Sequence, residues 1–298
     1  MKIINFGSLN VDYVYRVDRF LLPGETRPAK NRSIYAGGKG LNQSIAIARA
    51  GAQVFHAGMT GIDGALLLDA LKESNVNTEH MMALDGAGGH TIIQVDDSGQ
   101  NTILLFGGTN RALTKEYIDG VLHHFSKEDV VLLQNEVNLV EYTIEKAFDL
   151  GIRVAFNAAP IDDGVIRYPL EKVSWLIVNE IEGGELAGKS EPDEVLHTLA
   201  EKYPKTAILL TLGADGCRYL SGGEELLVPA CSVSKIVDTT AAGDTFTGYF
   251  LHSITQGAPV KKALEIASAA SALAIQKNGA ASSIPWANEV ECEIKNML

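Results

Sequence analysis

Cysteine is scarce: the 298 residues hold three, Cys217, Cys231 and Cys292, odd in number and far apart. This argues against a disulfide framework, and the lack of a Cys-x-x-Cys pair removes the usual thiolate metal site. Histidine does not compensate. The seven histidines are scattered, and the adjacent His123 and His124, if helical, point about 100° apart and do not converge on a metal. Positive charge is also short, with 25 Lys and Arg against 37 Asp and Glu, a net charge of −12 and no basic run. A broad surface neutralising many nucleic-acid phosphates is thereby excluded, so any phosphate must be bound locally. No apolar run approaches the roughly 18 residues of a membrane span, and the opening MKIINFGS has neither the basic start nor the long apolar stretch of a secretory leader. The expectation is a cytoplasmic protein with no membrane and no nucleic-acid partner. Repeats, low-complexity tracts and Pro/Ser-rich linkers are missing as well, which favours one domain over residues 1–298.

What is present is an ordinary globular composition, 46% hydrophobic and 21% charged, with length for a large core. Apolar β-like runs alternate with helical patterns: IINF (3–6), LNQSIAIARA (41–50), QVFHAG (53–58), ALLLDALKE (65–73), DVVLLQNE (129–136), VEYTIEKAFDLG (140–151), RVAFN (153–157), SWLIVN (174–179) and TAILLTLG (206–213). That rhythm predicts an α/β fold, a three-layer αβα sandwich around a mostly parallel sheet. Two stretches depart from it. Val11, Tyr13, Tyr15 and Val17 recur with period two, and HTIIQV (90–95) with NTILLF (101–106) flanks the turn signal DDSGQ. With a strand near Ser33 to Ala36 they predict a small second sheet, inserted as segments of about 11–36 and 89–107.

Four stretches could carry chemistry. In DTTAAGDTF (238–246), Phe246, Tyr249, Phe250 and Ile254 mark a helical stripe, so Gly243 and Asp244 stand at a helix start. There unpaired amides form an anion site, and Ala241, Ala242 and Gly243 leave room for a phosphate. Asp244 is either an N-cap or a base that deprotonates a hydroxyl attacking that anion. In AGGKGLNQSIAIARAG (36–51), Gly37, Gly38 and Gly40 again meet a helix start, with Lys39 and Asn42 able to donate to a polyhydroxyl ligand. GGELAGKS (183–190) matches the P-loop pattern letter for letter. Against it stand Glu182 and Glu185 where phosphates would sit, and the pattern reads better as a short helix over 180–187 ended by Gly188. TLGADG (211–216) joins two strands, and a strand's carboxyl end is also where a nucleotide would lie.

In this order the pieces resemble the ribokinase-like (PfkB-type) carbohydrate kinases over nearly the whole chain: GSLNVD, GETRPA, GGKGLNQSIAIARAGA, GGTNRAL, QNEV, NAAP, NEIE, TLGADG, DTTAAGDTF and NGAASSIPW. The resemblance implies an ATP-dependent sugar kinase acting on a primary hydroxyl, D-ribose first, another pentose, hexose or nucleoside otherwise. A regulator that keeps the fold without turnover is the alternative of another class. It implies Asp244 as base and the backbone of Ala241, Ala242 and Gly243 as anion hole. Asn10, Asp12, Gly38, Lys39, Asn42 and Glu136 become sugar-binding, and Asn179, Thr211, Gly213, Gly216 and Gly243 nucleotide-binding. Glu182 would help hold Mg²⁺ through water, and K⁺ would sit at Asp238, Thr240, Ala274, Lys277, Gly279 and Ser283, mostly on backbone carbonyls. The period-two strands become a lid that closes on the sugar and pairs two subunits into a homodimer. Departures from the family pattern, at Leu41, after Thr26 in GETRPA, and at His90, are expected around the sugar; Ala241 replaces a common glycine but keeps its N–H.

Overall fold

The computed structural model describes residues 1–297. The first half runs β1 (Ile3–Phe6), β2 (Asn10–Arg16), β3 (Asn31–Gly37), α1 (Lys39–Arg49), β4 (Val54–Thr60), α2 (Ala65–Glu73), β5 (Asn77–Ala83), β6 (Gly89–Val95), β7 (Asn101–Phe106) and α3 (Lys115–Leu122). The second half continues with β8 (Val130–Gln134), α4 (Val140–Asp149), β9 (Arg153–Asn157), β10 (Trp175–Asn179), α5 (Glu180–Ala187), α6 (Pro192–Lys202), β11 (Ala207–Thr211), β12 (Cys217–Ser221), β13 (Glu224–Val228), α7 (Ala242–Thr255), α8 (Val260–Ala274) and α9 (Ala287–Met297). No helix among the described residues is long and apolar enough to cross a membrane.

The large sheet has the order β13-β12-β11-β10-β9-β8-β1-β4-β5. From β11 to β5 every pairing is parallel, and β12 and β13 add an antiparallel hairpin at one edge. Both faces are covered, which is why these strands read as unbroken apolar runs. In β8, Val130 and Leu132 point into one core with α1, α2, α7, α8 and α9, while Val131 and Leu133 point into the other with α3 to α6. The sandwich expected from the sequence is the one found.

The second sheet has the order β3-β2-β6-β7. Its strands fall in the two stretches predicted for the lid, and the β6–β7 hairpin turns over Asp96 to Gln100 as the DDSGQ signal requires. Asp96 closes that turn by accepting from the N–H groups of Ser98 and Gln100. β3 leads through Gly38 directly into α1, so the lid is tied to the main sheet at the start of that helix. The P-loop reading fails here: residues 180–187 are helical and Gly188, at φ 65°, ends the helix in a left-handed turn.

One close approach places the site. A Cβ on Gly248 would lie 2.4 Å from Ala46 Cβ, so only a residue without one lets α7 and α1 touch there. That contact brings the first turn of α1 against the first turn of α7.

Candidate active site

α7 opens from Ala241, whose φ of 61° is left-handed. Ala242 directs its N–H back to Thr239 O at 3.2 Å. The N–H groups of Ala241, Gly243 and Asp244 meet no acceptor among the described residues, so of the 241–243 amides expected for the anion hole those of Ala241 and Gly243 are open. A Cβ on Gly243 would meet nothing within 4 Å, and the residue borders both hollows described below. Asp244 is 7% exposed, and its side chain caps no N–H of its own helix. Instead Oδ2 accepts from Asn42 Nδ2 at 3.0 Å and Oδ1 from Gln43 Nε2 at 2.9 Å. The N-cap reading left open by the sequence is therefore not what the fold uses.

Asp244 lines a cleft of about 210 Å³ with Lys39, Asn157, Asn179, Glu182 and Thr247. A neighbouring hollow of about 150 Å³ is lined by Gly213, Gly216, Phe246 and Ser271, and shares Thr211, Ala242 and Gly243 with the first. Every nucleotide-binding residue expected from the sequence is on one or both walls. Lys39 has no carboxylate within 4 Å among the described residues. Burial alone would lower its pKa, but the fields of Asp244, Glu136 and Glu182 outweigh that and hold it above the usual lysine value. A partly buried ammonium without a carboxylate in contact is ready for an anion.

Glu182 and Asn179 form a capping box at the start of α5: Asn179 Oδ1 accepts from the N–H of Ile181 and Glu182, while the Glu182 carboxylate accepts from Asn179 N at 2.9 Å and Nδ2 at 3.0 Å. Burial raises the Glu182 pKa, partly offset by the Asn179 N–H and Lys39. No group of three or more His, Cys, Asp or Glu able to hold a metal occurs among the described residues. Of the positions expected for K⁺, three are tied together: Asp238 accepts from Thr240 N–H and Oγ1 at 2.9 and 2.6 Å and from Gly279 N–H at 3.0 Å. Lys277 pairs its ammonium with Glu289 at 2.7 Å, so only its backbone remains for such a role. Ser283 is fully buried and its Oγ donates to Ala280 O.

The polar groups expected at the sugar gather at the start of α1. Glu136 accepts from Lys39 N at 3.0 Å and from Ser8 Oγ. Asn10 is 2% exposed and accepts from Asn110 Nδ2 at 2.8 Å. Asp12 accepts from Thr91 Oγ1 at 2.6 Å; burial and the Glu136 carboxylate raise its pKa to about 6 against the lowering effect of that bond. Gly40 packs on Gly7, where a Cβ would lie 2.4 Å from the Gly7 Cα, which seats the loop on the end of β1. Two of the sequence departures have packing partners of their own. Leu41 is wholly buried in the core. His90 pairs in register with Val11, so it lies on the opposite face of the lid from Asp12 and Thr91, between the rings of Tyr13 and Phe106. GETRPA lies in the largely exposed loop between β2 and β3.

Several residues of the site escaped the sequence reading. Asn157 and Thr247 bring buried oxygens without a partner into the cleft, and Gln43, Asn110 and Thr91 hold expected residues in place. Asn110 and Asn157 fall within GGTNRAL and NAAP, so the signal was present without a role.

With this geometry in view, comparison with known proteins gives a consistent result. The pattern described as "pfkB family carbohydrate kinase" matches residues 1–287. A curated ribokinase of Schizosaccharomyces pombe is 35% identical, over 98% of this chain and 97% of that protein. The ribokinase of Cryptococcus neoformans, solved with ADP, superposes with a TM-score of 0.87 at 30% identity over 100% of this chain and 99% of the other. The Arabidopsis thaliana ribokinase, solved with ribose and ATP, gives a TM-score of 0.87 at 26% identity over 98% of each chain. With the family pattern matched over residues 1–287 and relatives at up to 35% identity along nearly the whole length, this chain belongs to the pfkB family of carbohydrate kinases.

Proposed function

We propose that this protein is an ATP-dependent ribose kinase that transfers the γ-phosphoryl group to the primary hydroxyl, giving D-ribose 5-phosphate and ADP. The observation that carries the reading is the position of Asp244, held by Asn42 and Gln43 at the junction of the cleft and the polar cluster. The relatives named ribokinase supply the acceptor, and Leu41 in the core with His90 on the lid face opposite Asp12 weakens two reasons to doubt ribose.

Asn10, Asp12, Glu136, Asn42 and the Gly38 backbone hold the sugar, their oxygens and amides suiting its hydroxyls. Asp244 accepts the hydroxyl proton as the sugar oxygen bonds to the γ-phosphorus; the bond from that phosphorus to the β–γ bridging oxygen breaks, and its electron pair leaves on ADP. The N–H groups of Ala241, Gly243 and Asp244 receive the charge on the transferring group, and Lys39 opposes it across the cleft. Asn179, Thr211, Gly213 and Gly216 wall the nucleotide.

Mg²⁺ fits at Glu182 through water, because both carboxylate oxygens already accept from Asn179 and direct ligation would break the capping box. Bound with the nucleotide, the ion neutralises phosphate charge. K⁺ suits the segments 238–240 and 274–283, which Asp238 ties together through Thr240 and Gly279. The lid is read as an insertion in one domain, and a second copy of the chain as its partner. ATP as co-substrate argues for the cytoplasm.

The test is ADP release over a panel of sugars and nucleosides, with and without K⁺, beside Asp244→Asn. Ribose is expected to give the highest kcat/KM, and the variant to bind ligands while losing ~100- to 10,000-fold in kcat. Wild-type turnover by Asp244→Asn removes the base from the mechanism.

A further inference from the structure

Three sheet positions that should be apolar are not. Asn5 in β1, His56 in β4 and Gln134 in β8 continue the face of Ile3, Val54 and Leu132, which packs against α1 and α7, and none exceeds 1% exposure. A buried amide without a partner costs roughly 1–3 kcal/mol, so such a layer persists only if its members satisfy each other. All but Gln134 Oε1 do so among the described residues, and the order of their bonds is forced. Gly7 O only accepts, so His56 Nε2 at 3.2 Å carries the hydrogen, and His56 Nδ1 accepts from Ser44 Oγ at 2.8 Å. Burial keeps that imidazole neutral by lowering its pKa to about 4. Ser44 Oγ accepts from Asn5 Nδ2 at 2.9 Å, and the same nitrogen donates to Gly40 O at 2.8 Å. Asn5 Oδ1 is then the acceptor of Gln134 Nε2 at 3.1 Å, and Gln134 Nε2 also donates to Gln43 Oε1 at 2.7 Å. Gln43 is left with one orientation, its amino group toward Asp244 Oδ1.

We infer that Gln43 is a positioning residue for the catalytic carboxylate, its amide locked by Gln134, Asn5, Ser44 and His56 so that a donor always faces Asp244 Oδ1. The inference rests on the assignment of Asp244 as base. With Asn42 on Oδ2 the carboxylate is held at both oxygens, and its free lone pairs are left for the sugar hydroxyl. The amide links pass no proton, so the proton taken by Asp244 leaves by the cleft with the product.

The experiment compares Gln43→Met, which keeps volume and removes the donor, with Gln134→Met, which removes the lock, the double variant, and Asp244→Asn, each checked for folding by thermal unfolding. Gln43→Met is expected to lose about 10- to 100-fold in kcat with KM for ribose and ATP within about threefold, since misplacement acts on the transition state. Gln134→Met alone is expected to lose roughly three- to tenfold, and the double variant no more than Gln43→Met, the non-additivity of residues acting through one contact. A folded Gln43→Met with kcat within twofold of wild type, a loss confined to KM, or additive losses overturns the inference. If Gln43→Met does not fold, Gln134→Met decides by the same split of kcat from KM. An inactive Asp244→Asn beside a wild-type-like Gln43→Met removes this inference alone; an active Asp244→Asn removes the base assignment beneath it.

Discussion

Asp12 is where charge and fold conflict most openly. Burial, with Glu136 nearby, lifts its carboxyl to about 6, and only the ionised form accepts from a sugar hydroxyl at both oxygens. Below that pH the group is protonated, so kcat/KM for ribose should fall with an acid limb near pH 6, a property of the free enzyme. Asp12→Asn should raise KM and abolish that limb; a limb that survives unchanged in the variant assigns it elsewhere. The stability sign is opposite. A carboxyl whose folded pKa is raised contributes stability below its unfolded value of 3.8, and this is lost as pH rises through about 6. The shift corresponds to roughly 3 kcal/mol, so Asp12→Asn should melt higher than wild type at pH 7 to 8, with the gap closing near pH 4. Residues such as this, in short motifs with distinctive neighbours, were legible in the sequence. Asn5 and His56 were not, because each sits singly inside an apolar run, and Gln43 and Gln134, though inside quoted motifs, had no role until the strand order and the packing of α1 brought the four together.

At the scale of elements, α2 coincides with the predicted 65–73 and β9 with 153–157, since their apolar spacing and flanking polar residues agree. β5 escaped because its NTEHMMA run lies at the sheet edge, half exposed and without a period. α8 escaped because alanine and serine make much of its buried face, a pattern that mimics a small-residue loop. The start of α7 was found through its small residues, and its glycine can now be tested as a functional rather than a structural choice. Gly243 has ordinary helical geometry and open space at its Cβ, so Gly243→Ala should fold and gain up to about 1 kcal/mol from reduced chain entropy. Gly243 lines both hollows, so if the phosphate binds there the added methyl takes some of its room, and kcat/KM for ATP should fall at least about tenfold. A variant equal to wild type in both respects would place the phosphate away from this helix start. Ala241 already carries left-handed strain of about 1 kcal/mol, which the fold tolerates at a site where the backbone must turn its N–H outward.

At the scale of the molecule, the lid has an open edge. β7 is an edge strand, and all six of its residues are exposed, including Leu104 at 67% and Ile103 at 59%. These two point to opposite faces, so neither face of the strand is covered and its outer backbone edge is unpaired within the chain. Soluble proteins avoid such an edge by covering or charging it, and NTILLF carries no charge. A second copy offers the same strand, and a two-fold pairing of lids would bury both faces and close the hydrogen-bonding edge at once. Sedimentation equilibrium should therefore give a dimer for the wild type. Leu104→Asp puts a charge into the contact while leaving the cleft intact, and is expected to sediment as a monomer. Since Asp12 and Thr91 are carried by the same sheet, loosening the lid should raise KM for ribose several-fold and leave KM for ATP, set by walls on the large sheet, nearly unchanged. A monomeric variant with wild-type KM for ribose would separate assembly from sugar binding, and a wild type that sediments as a monomer would remove the second copy from the site altogether.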